Sequence, residues 1–413
     1  MMLLLRIAWR NLGRQPRRTV LTSAAAVFAV VLTLITLAAA AGSHDRWVEH
    51  IVRLYPGHVE VMAQGYRDHR TLDYGMTLSE AQTAALDRIP GIDGWAPRLE
   101  AWALAIPDRD DSTGRAAQVI GLDPAREGPL TRIGRFVREG GLLSGEPEER
   151  NVVLGRRLAE NLGVAAGDSM ILLAADYYGS QSAERFRVAG TLEVGDDTID
   201  GYAAIVELDD LRRFVEYPGG LSHVAAFASD PSQVEAVRAE LDRVFSRDAY
   251  EVLAWPELLP DLYQLIVLDD LGGYLTLSVL LVVVAFGLLN TILMSVLERV
   301  REFGVMRAMG VRPRRIFGLV VIEALLMSAI GLVIGFAIGI PLTLWLEQHP
   351  IQMGESATEA LELFGVEALL VFRMHAGQLV LMAGVLVGVA LLAALPPAFR
   401  ASRGRPVDAL REA

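Results

Sequence analysis

The sequence predicts a membrane α-helical protein: four transmembrane helices, with a large extracytoplasmic α+β domain between the first and the second. Three observations carry this reading. Apolar runs at residues 19–42, 271–297, 316–346 and 377–399 are each long enough for a bilayer that needs ~20 such residues. Arginines concentrate in the short segments 1–18, 298–315 and 400–413, which places those segments on the cytoplasmic side. Residues 43–270 form a 228-residue insert with 40 acidic residues against 22 Arg, large enough to bury a core of its own.

Composition sets the outer limits. With 52% hydrophobic residues and a net charge of −12, the 413 residues divide into apolar spans, basic short segments and an acidic middle. All 38 basic residues are Arg. A phosphate-binding P-loop needs its Lys, so ATP hydrolysis by the Walker route is excluded for this chain. The absence of Cys excludes a disulfide framework, a thiol nucleophile and a Cys zinc site.

The elements follow in order. Residues 1–18 place Arg6, Arg10, Arg14 and Arg17 as a basic stripe opposite Leu5, Trp9 and Leu12, which suits a cytoplasmic amphipathic helix in the membrane interface, broken at Pro16. The charge-free run 19–42 exceeds the 7–15 residues of a signal-peptide core and reads as a retained first span, despite the small residues at 38–42. In the outer domain, residues 79–88 read as a helix capped by Ser79 and 92–106 as strand after the Pro90-Gly91 turn. Strand, helix and strand follow at 152–154, 155–162 and 169–174. Further strands fall at 186–193, 203–207 and 223–228, and a helix at 231–245. This texture suggests two intertwined α+β lobes, the middle one inserted. Leu258, Leu262, Leu265 and Ile266 recur at helical spacing, so the second span is expected to begin outside the bilayer as a stalk, with Asp269 and Asp270 near the outer surface. The loop 347–376 holds Glu347, Glu355, Glu359, Glu362 and Glu367.

Within the third span, Gly331, Gly335 and Gly339 repeat every four residues, and Gly384 and Gly388 do so in the fourth. This small-xxx-small pattern brings helix backbones together, either within one subunit or between two. Glu323, about two turns inside the third span, needs a partner there, and the neighbouring Arg-rich loop offers one. Enzyme constellations are missing: there is no Gly-x-Ser-x-Gly elbow and no His-Glu-x-x-His, and the histidines lack ligand spacing. Asp196, Asp197 and Asp200 read as a solvated turn, since they lack the ligand alternation of a calcium loop. The basic clusters all adjoin spans, which favours lipid and protein partners over nucleic acid.

Between the second and third spans lies Glu298-Arg299-Val300-Arg301-Glu302-Phe303-Gly304-Val305-Met306-Arg307-Ala308-Met309-Gly310. Val300, Phe303, Met306 and Met309 recur every third residue and read as one side of a short helix that Gly310 stops. This run closely resembles the cytoplasmic coupling loop of FtsX-like and MacB-like ABC-transporter permeases. Residues 6–12 and 17–19 before the first span, and 397–401 and 406–411 at the end, agree. Residues 155–163, 167–168 and 186–190 resemble the MacB-like periplasmic core domain. The resemblance implies that Glu298, Arg301, Glu302, Phe303, Gly304, Met306, Arg307 and Gly310 dock on a separate ATPase. In such a contact Glu302 and Arg307 are expected to fix the orientation by charged hydrogen bonds and Phe303 and Met306 to fill a groove, with Arg299 a peripheral charge.

It further implies a non-enzymatic permease subunit in a bacterial inner (cytoplasmic) membrane with its large domain in the periplasm. The chain would bind no cofactor itself, ATP and Mg²⁺ being bound by the ATPase. The expected assembly has two ATPase copies and a second permease copy or sister permease. Expected contacts include membrane lipids and a periplasmic lipoprotein or adaptor. Residues 57–61 with Gly65-Tyr66 resemble the lipoprotein-releasing branch, and a permease separate from its ATPase fits that branch. A drug or peptide efflux permease and an FtsX-like regulatory mechanotransmitter are the alternatives.

Overall fold

The computed structural model describes residues 6–8, 10–11, 16–109, 113–143, 150–354 and 369–403. Trp9, Arg14, the acidic residues at 355, 359, 362 and 367, and the tail 404–413 lie outside these residues. The chain divides into two compact units, one holding the spans and one built mainly from Asp45–Gln264.

The second unit is organised by strands β1 (Val59–Ala63), β2 (Met76–Thr77), β3 (Ile92–Pro107), β4 (Arg115–Leu122), β5 (Val137–Gly140), β6 (Asn151–Gly155), β7 (Ser169–Ala175), β8 (Gln181–Leu192), β9 (Ala203–Glu207), β10 (Gly220–Leu221), β11 (His223–Ala228) and β12 (Tyr250–Ala254). Ten of them form one sheet, and β2 pairs with β10 apart from it. The long β3 belongs to two neighbourhoods: its first half pairs with β11, its second half with β4 and β7. From β3 the pairing runs through β4, β9, β6, β8 and β7 back to β3, so six strands close into a ring. Closure leaves those strands without free edges. The segment carrying β4 to β9 is thus inserted between β3 and β11, and what the sequence suggested as two lobes shares one sheet through β3.

Side chains alternate as the pleat demands. Val152 and Leu154 of β6 and Ala204 and Val206 of β9 join the main core, whereas Val153 and Ile205 join a second cluster with Ile120, Leu122, Ile133 and Phe136. Ser79 caps the helix Glu80–Leu86 through a complete capping box with Gln82. Asp196 accepts from the amides of Thr198 and Ile199 at 2.9 Å, and Asp200 from Val194 and Gly195. Those carboxylates shape a turn.

Helices Pro16–Val52, Pro260–Glu298, Pro313–Gln348 and Ala376–Arg403, wholly or mostly within the first unit, contain stretches long and apolar enough to cross a membrane. Three of these helices start with proline, whose missing N–H costs nothing in a first turn. The second runs unbroken for 39 residues. At about 1.5 Å per residue that is roughly 58 Å, against ~30 Å of hydrocarbon, so the predicted stalk and the span are one helix. His44 Nε2 stands 2.8 Å from Asp269 Oδ2, joining the outer ends of the first two spans.

The span core takes Val284, Leu288, Ile292 and Val296 from the second helix, at four-residue spacing. It takes Ile316, Leu319, Val320 and Ala324 from the third, and an alanine-rich stripe from the fourth. A Cβ on Gly331, Gly335 or Gly339 would meet Ala26, Val30 or Leu34 of the first span at 2.6, 2.5 or 2.7 Å. These glycines pack the first and third spans together within one chain. Gly384 and Gly388 have nothing within 4 Å of such a Cβ.

Candidate coupling site

The charged segment between the second and third spans folds as a short helix, Val300–Ala308. Gly310 ends it at φ +91°, a backbone conformation that side chains disfavour, while Val311 N donates to Met306 O at 3.0 Å.

Three anchors fix this helix to the spans. Arg299 Nη1 donates to Glu323 Oε1 at 2.9 Å and Oε2 at 3.2 Å, and Asn11 Nδ2 donates to Glu323 Oε1 at 2.6 Å. Phe303 is 3% exposed within the span core, with the Arg299 guanidinium 5.2 Å above its ring. Arg307 Nη1 donates to the Ser402 carbonyl at 2.6 Å, at the end of the fourth span. Glu323 has therefore found the arginine expected of it, along with an asparagine the sequence did not single out. Asn11 and Ser402 gave no chemical signal of their own, because one is a lone amide and the other acts through its backbone.

The predicted face needs correction. At about 100° per residue, a step of three falls about 60° short of a turn, so Met309 lies roughly opposite Val300. Phe303 and Gly304 are buried, whereas Met309 is 71% and Val305 41% exposed. Phe303 thus anchors the helix to its own spans instead of standing free to fill a groove on another protein. Met306 is half-buried against the same core. Arg299, read from the sequence as peripheral, has only 15% of its side chain exposed and joins Glu323 to Glu302, to which its Nε donates at 2.9 Å. Glu298, Arg301, Glu302, Val305 and Met309 make up the exposed face.

A family model described as the MacB-like periplasmic core domain matches residues 19–244, more than half the chain, and one described as the FtsX-like permease C-terminal region matches residues 274–406. The chain belongs to the FtsX-like, MacB-like ABC-transporter permeases. The permease is 26% identical to the lipoprotein-releasing system transmembrane protein LolC of Xylella fastidiosa, over 92% of its own chain and 91% of that protein. It is 24% identical to LolE of Haemophilus influenzae over the same shares. With the macrolide export ATP-binding/permease protein MacB of Nitrobacter winogradskyi it shares 25% identity over 98% of this chain and 59% of that protein. The permease is a membrane subunit, and ATPase activity sits in a separate one.

Proposed function

We propose that the permease passes ATP-driven movement from its ATPase to the outer domain and thereby releases lipoproteins from the inner (cytoplasmic) membrane. The observation that carries the coupling half is the Arg299–Glu323–Asn11 junction, which ties the short helix to the third span and to the N-terminal segment. A push on that helix cannot then be absorbed locally. It travels along the rigid second helix, whose 39 residues run on past the length a bilayer needs, as a two-state rigid-body movement. Glu298, Arg301, Glu302, Val305 and Met309 form the face that meets the ATPase, where ATP and Mg²⁺ are bound. Two ATPase copies and a second permease complete the assembly, and the open flanks of Gly384 and Gly388 offer a helix-packing surface for the latter.

The cargo half rests on the LolC and LolE relatives, matched over 91% of their lengths. The match to MacB, over 98% of this chain and 59% of that protein, supports macrolide export as the second reading. The test is ATP-dependent release of a triacylated lipoprotein from proteoliposomes holding the permease, its partner permease and its ATPase, with a macrolide uptake assay in parallel. Macrolide transport without lipoprotein release would overturn the cargo assignment.

A further inference from the structure

The outer domain contains a cleft of about 440 Å³ that the coupling mechanism does not use. Its charged lining is Glu49, Arg53, Glu127, Arg132 and Arg135. Most of that charge is already matched inside the protein. Glu127 accepts from buried Arg98 at 2.7 Å and 3.1 Å, Glu49 is held by Arg53 and by His58 at 3.2 Å, and Arg53 also reaches Asp93 at 2.6 Å. What remains is Arg132 and Arg135, neither of which has a carboxylate within ion-pair distance among the described residues.

Their geometry makes them a pair. Arg132 caps the start of the 3₁₀ turn Ile133–Phe136 and Arg135 lies within it, and Arg135 N donates to Arg132 O at 2.9 Å, which keeps the two residues close on the cleft lining. Arg132 N in turn donates to Arg53 O at 2.8 Å, which fixes the turn to the segment after the first span. Two guanidinium forks in the lining of one cleft match the oxygens of a phosphate. In a domain where acids outnumber arginines almost two to one, a cationic pair with no ion-pair partner among the described residues is a local exception that selects an anion.

Apart from Thr131, the remaining side chains of the lining are apolar: Leu122, Leu130, Ile133 and Leu143 are buried around the cleft and Leu142 is 37% exposed. An inorganic anion would leave that wall wet, whereas a molecule joining a phosphate to a glycerol ester covers both halves. The volume lies within the usual range for small-molecule sites and is too small for whole acyl chains. Glu49, on the cleft wall, belongs to the same unbroken helix as the first span, Pro16–Val52. We propose that this cleft binds the headgroup and glycerol region of an anionic phospholipid, with Arg132 and Arg135 on the phosphate.

The test uses the full-length permease in a zwitterionic detergent, titrated calorimetrically with dihexanoyl-phosphatidylglycerol below its micellar concentration. The matched phosphatidylcholine and inorganic phosphate serve as comparison ligands. The phosphatidylglycerol binds most tightly, and Arg132→Gln/Arg135→Gln weakens it by about tenfold or more, as expected for lost charge-assisted hydrogen bonds. Arg132→Lys/Arg135→Lys, which keeps the charge but loses the fork, binds more tightly than the glutamine variant and more weakly than the wild type, and Arg138→Gln, whose arginine pairs with Glu193 instead, changes nothing. Undiminished binding in the glutamine variant, or equal affinity for the phosphatidylcholine, overturns the proposal. So does competition by inorganic phosphate at equal concentration, which marks a soluble-anion site. Should the glutamine variant fail to fold, a salt titration of the wild-type protein decides. Affinity that falls as salt rises supports the arginine contacts, and salt-independent affinity rejects them.

Discussion

Arg299 and Glu323 form an ion pair at 2.9 Å between the start of the short helix Val300–Ala308 and the third span, with the glutamate side chain 7% exposed. Removing one partner of a buried pair leaves the other uncompensated, which costs roughly 3–5 kcal/mol, whereas replacing both with apolar groups can be nearly neutral. Arg299→Met and Glu323→Leu should each lower the melting temperature and uncouple cargo-stimulated ATP hydrolysis. The double variant should regain stability yet stay uncoupled. Thermal melts and ATPase assays on all three form a double-mutant cycle, and strictly additive losses would mean that the pair carries no interaction.

The two faces of the coupling helix should separate stability from docking. Phe303→Ala opens a cavity in the span core and should cost about 3–5 kcal/mol of stability. Met309→Asp and Val305→Asp, on the exposed face, should leave the melting temperature unchanged and reduce co-purification of the ATPase. A Met309→Asp protein that retains its full complement of ATPase would exclude this face as the docking surface.

The glycines divide in the same way. Gly335→Leu places a side chain where Val30 already stands, so the first and third spans must part, and overpacking of this kind typically costs about 1–3 kcal/mol or more. Gly384→Leu meets nothing in its own chain. It should leave the monomer folded and, on size-exclusion chromatography, shift the equilibrium between one and two permeases. An unchanged elution profile would remove this stripe from the subunit interface.

Much of this was legible in the sequence, for identifiable reasons. The spans announced themselves as uninterrupted apolar runs, and β9 and β11 emerged at their observed bounds because short β-rich runs between turn residues leave little choice. A short helix was expected between the second and third spans and one stands at Val300–Ala308, but its face was misread, because a three-residue recurrence over so short a stretch drifts off the 3.6-residue period. The burial of Arg299 depends on Glu323, 24 residues further on, and no local pattern records such a partner. The strand ring was hidden for the same reason: β3 reads as one long strand, while its change of partners halfway is set by residues far along the chain. Arg132 and Arg135 carry no local signal in the sequence; what sets them apart is that the described carboxylates of their cleft, Glu49 and Glu127, are engaged by Arg53, His58 and Arg98.

The outer domain also holds two buried carboxylates pushed in opposite directions. Burial raises the Glu60 pKa above its ordinary 4.5, against the pull of His223 and Arg98. Burial acts the same way on Glu100, yet His223, the hydrogen bond from the Tyr55 hydroxyl, Arg70 and Arg98 together bring it below 4.5. The linkage signs therefore differ. Glu100, depressed in the fold, contributes stability above about pH 4.5 that is lost as pH falls through its folded value. Glu60, raised in the fold, is favourable below about pH 4.5 and loses that contribution as pH rises through its folded value. At about pH 7, Glu60→Gln should raise the melting temperature, because an amide of the same shape avoids burying a charge, and Glu100→Gln should lower it. Both differences should shrink towards acid pH, where the carboxyls are protonated. Melts of the detergent-solubilised protein across this range check it. If Glu60→Gln is as destabilising as Glu100→Gln at neutral pH, then its contact with His223, 3.7 Å away, outweighs its burial and the assigned direction is wrong.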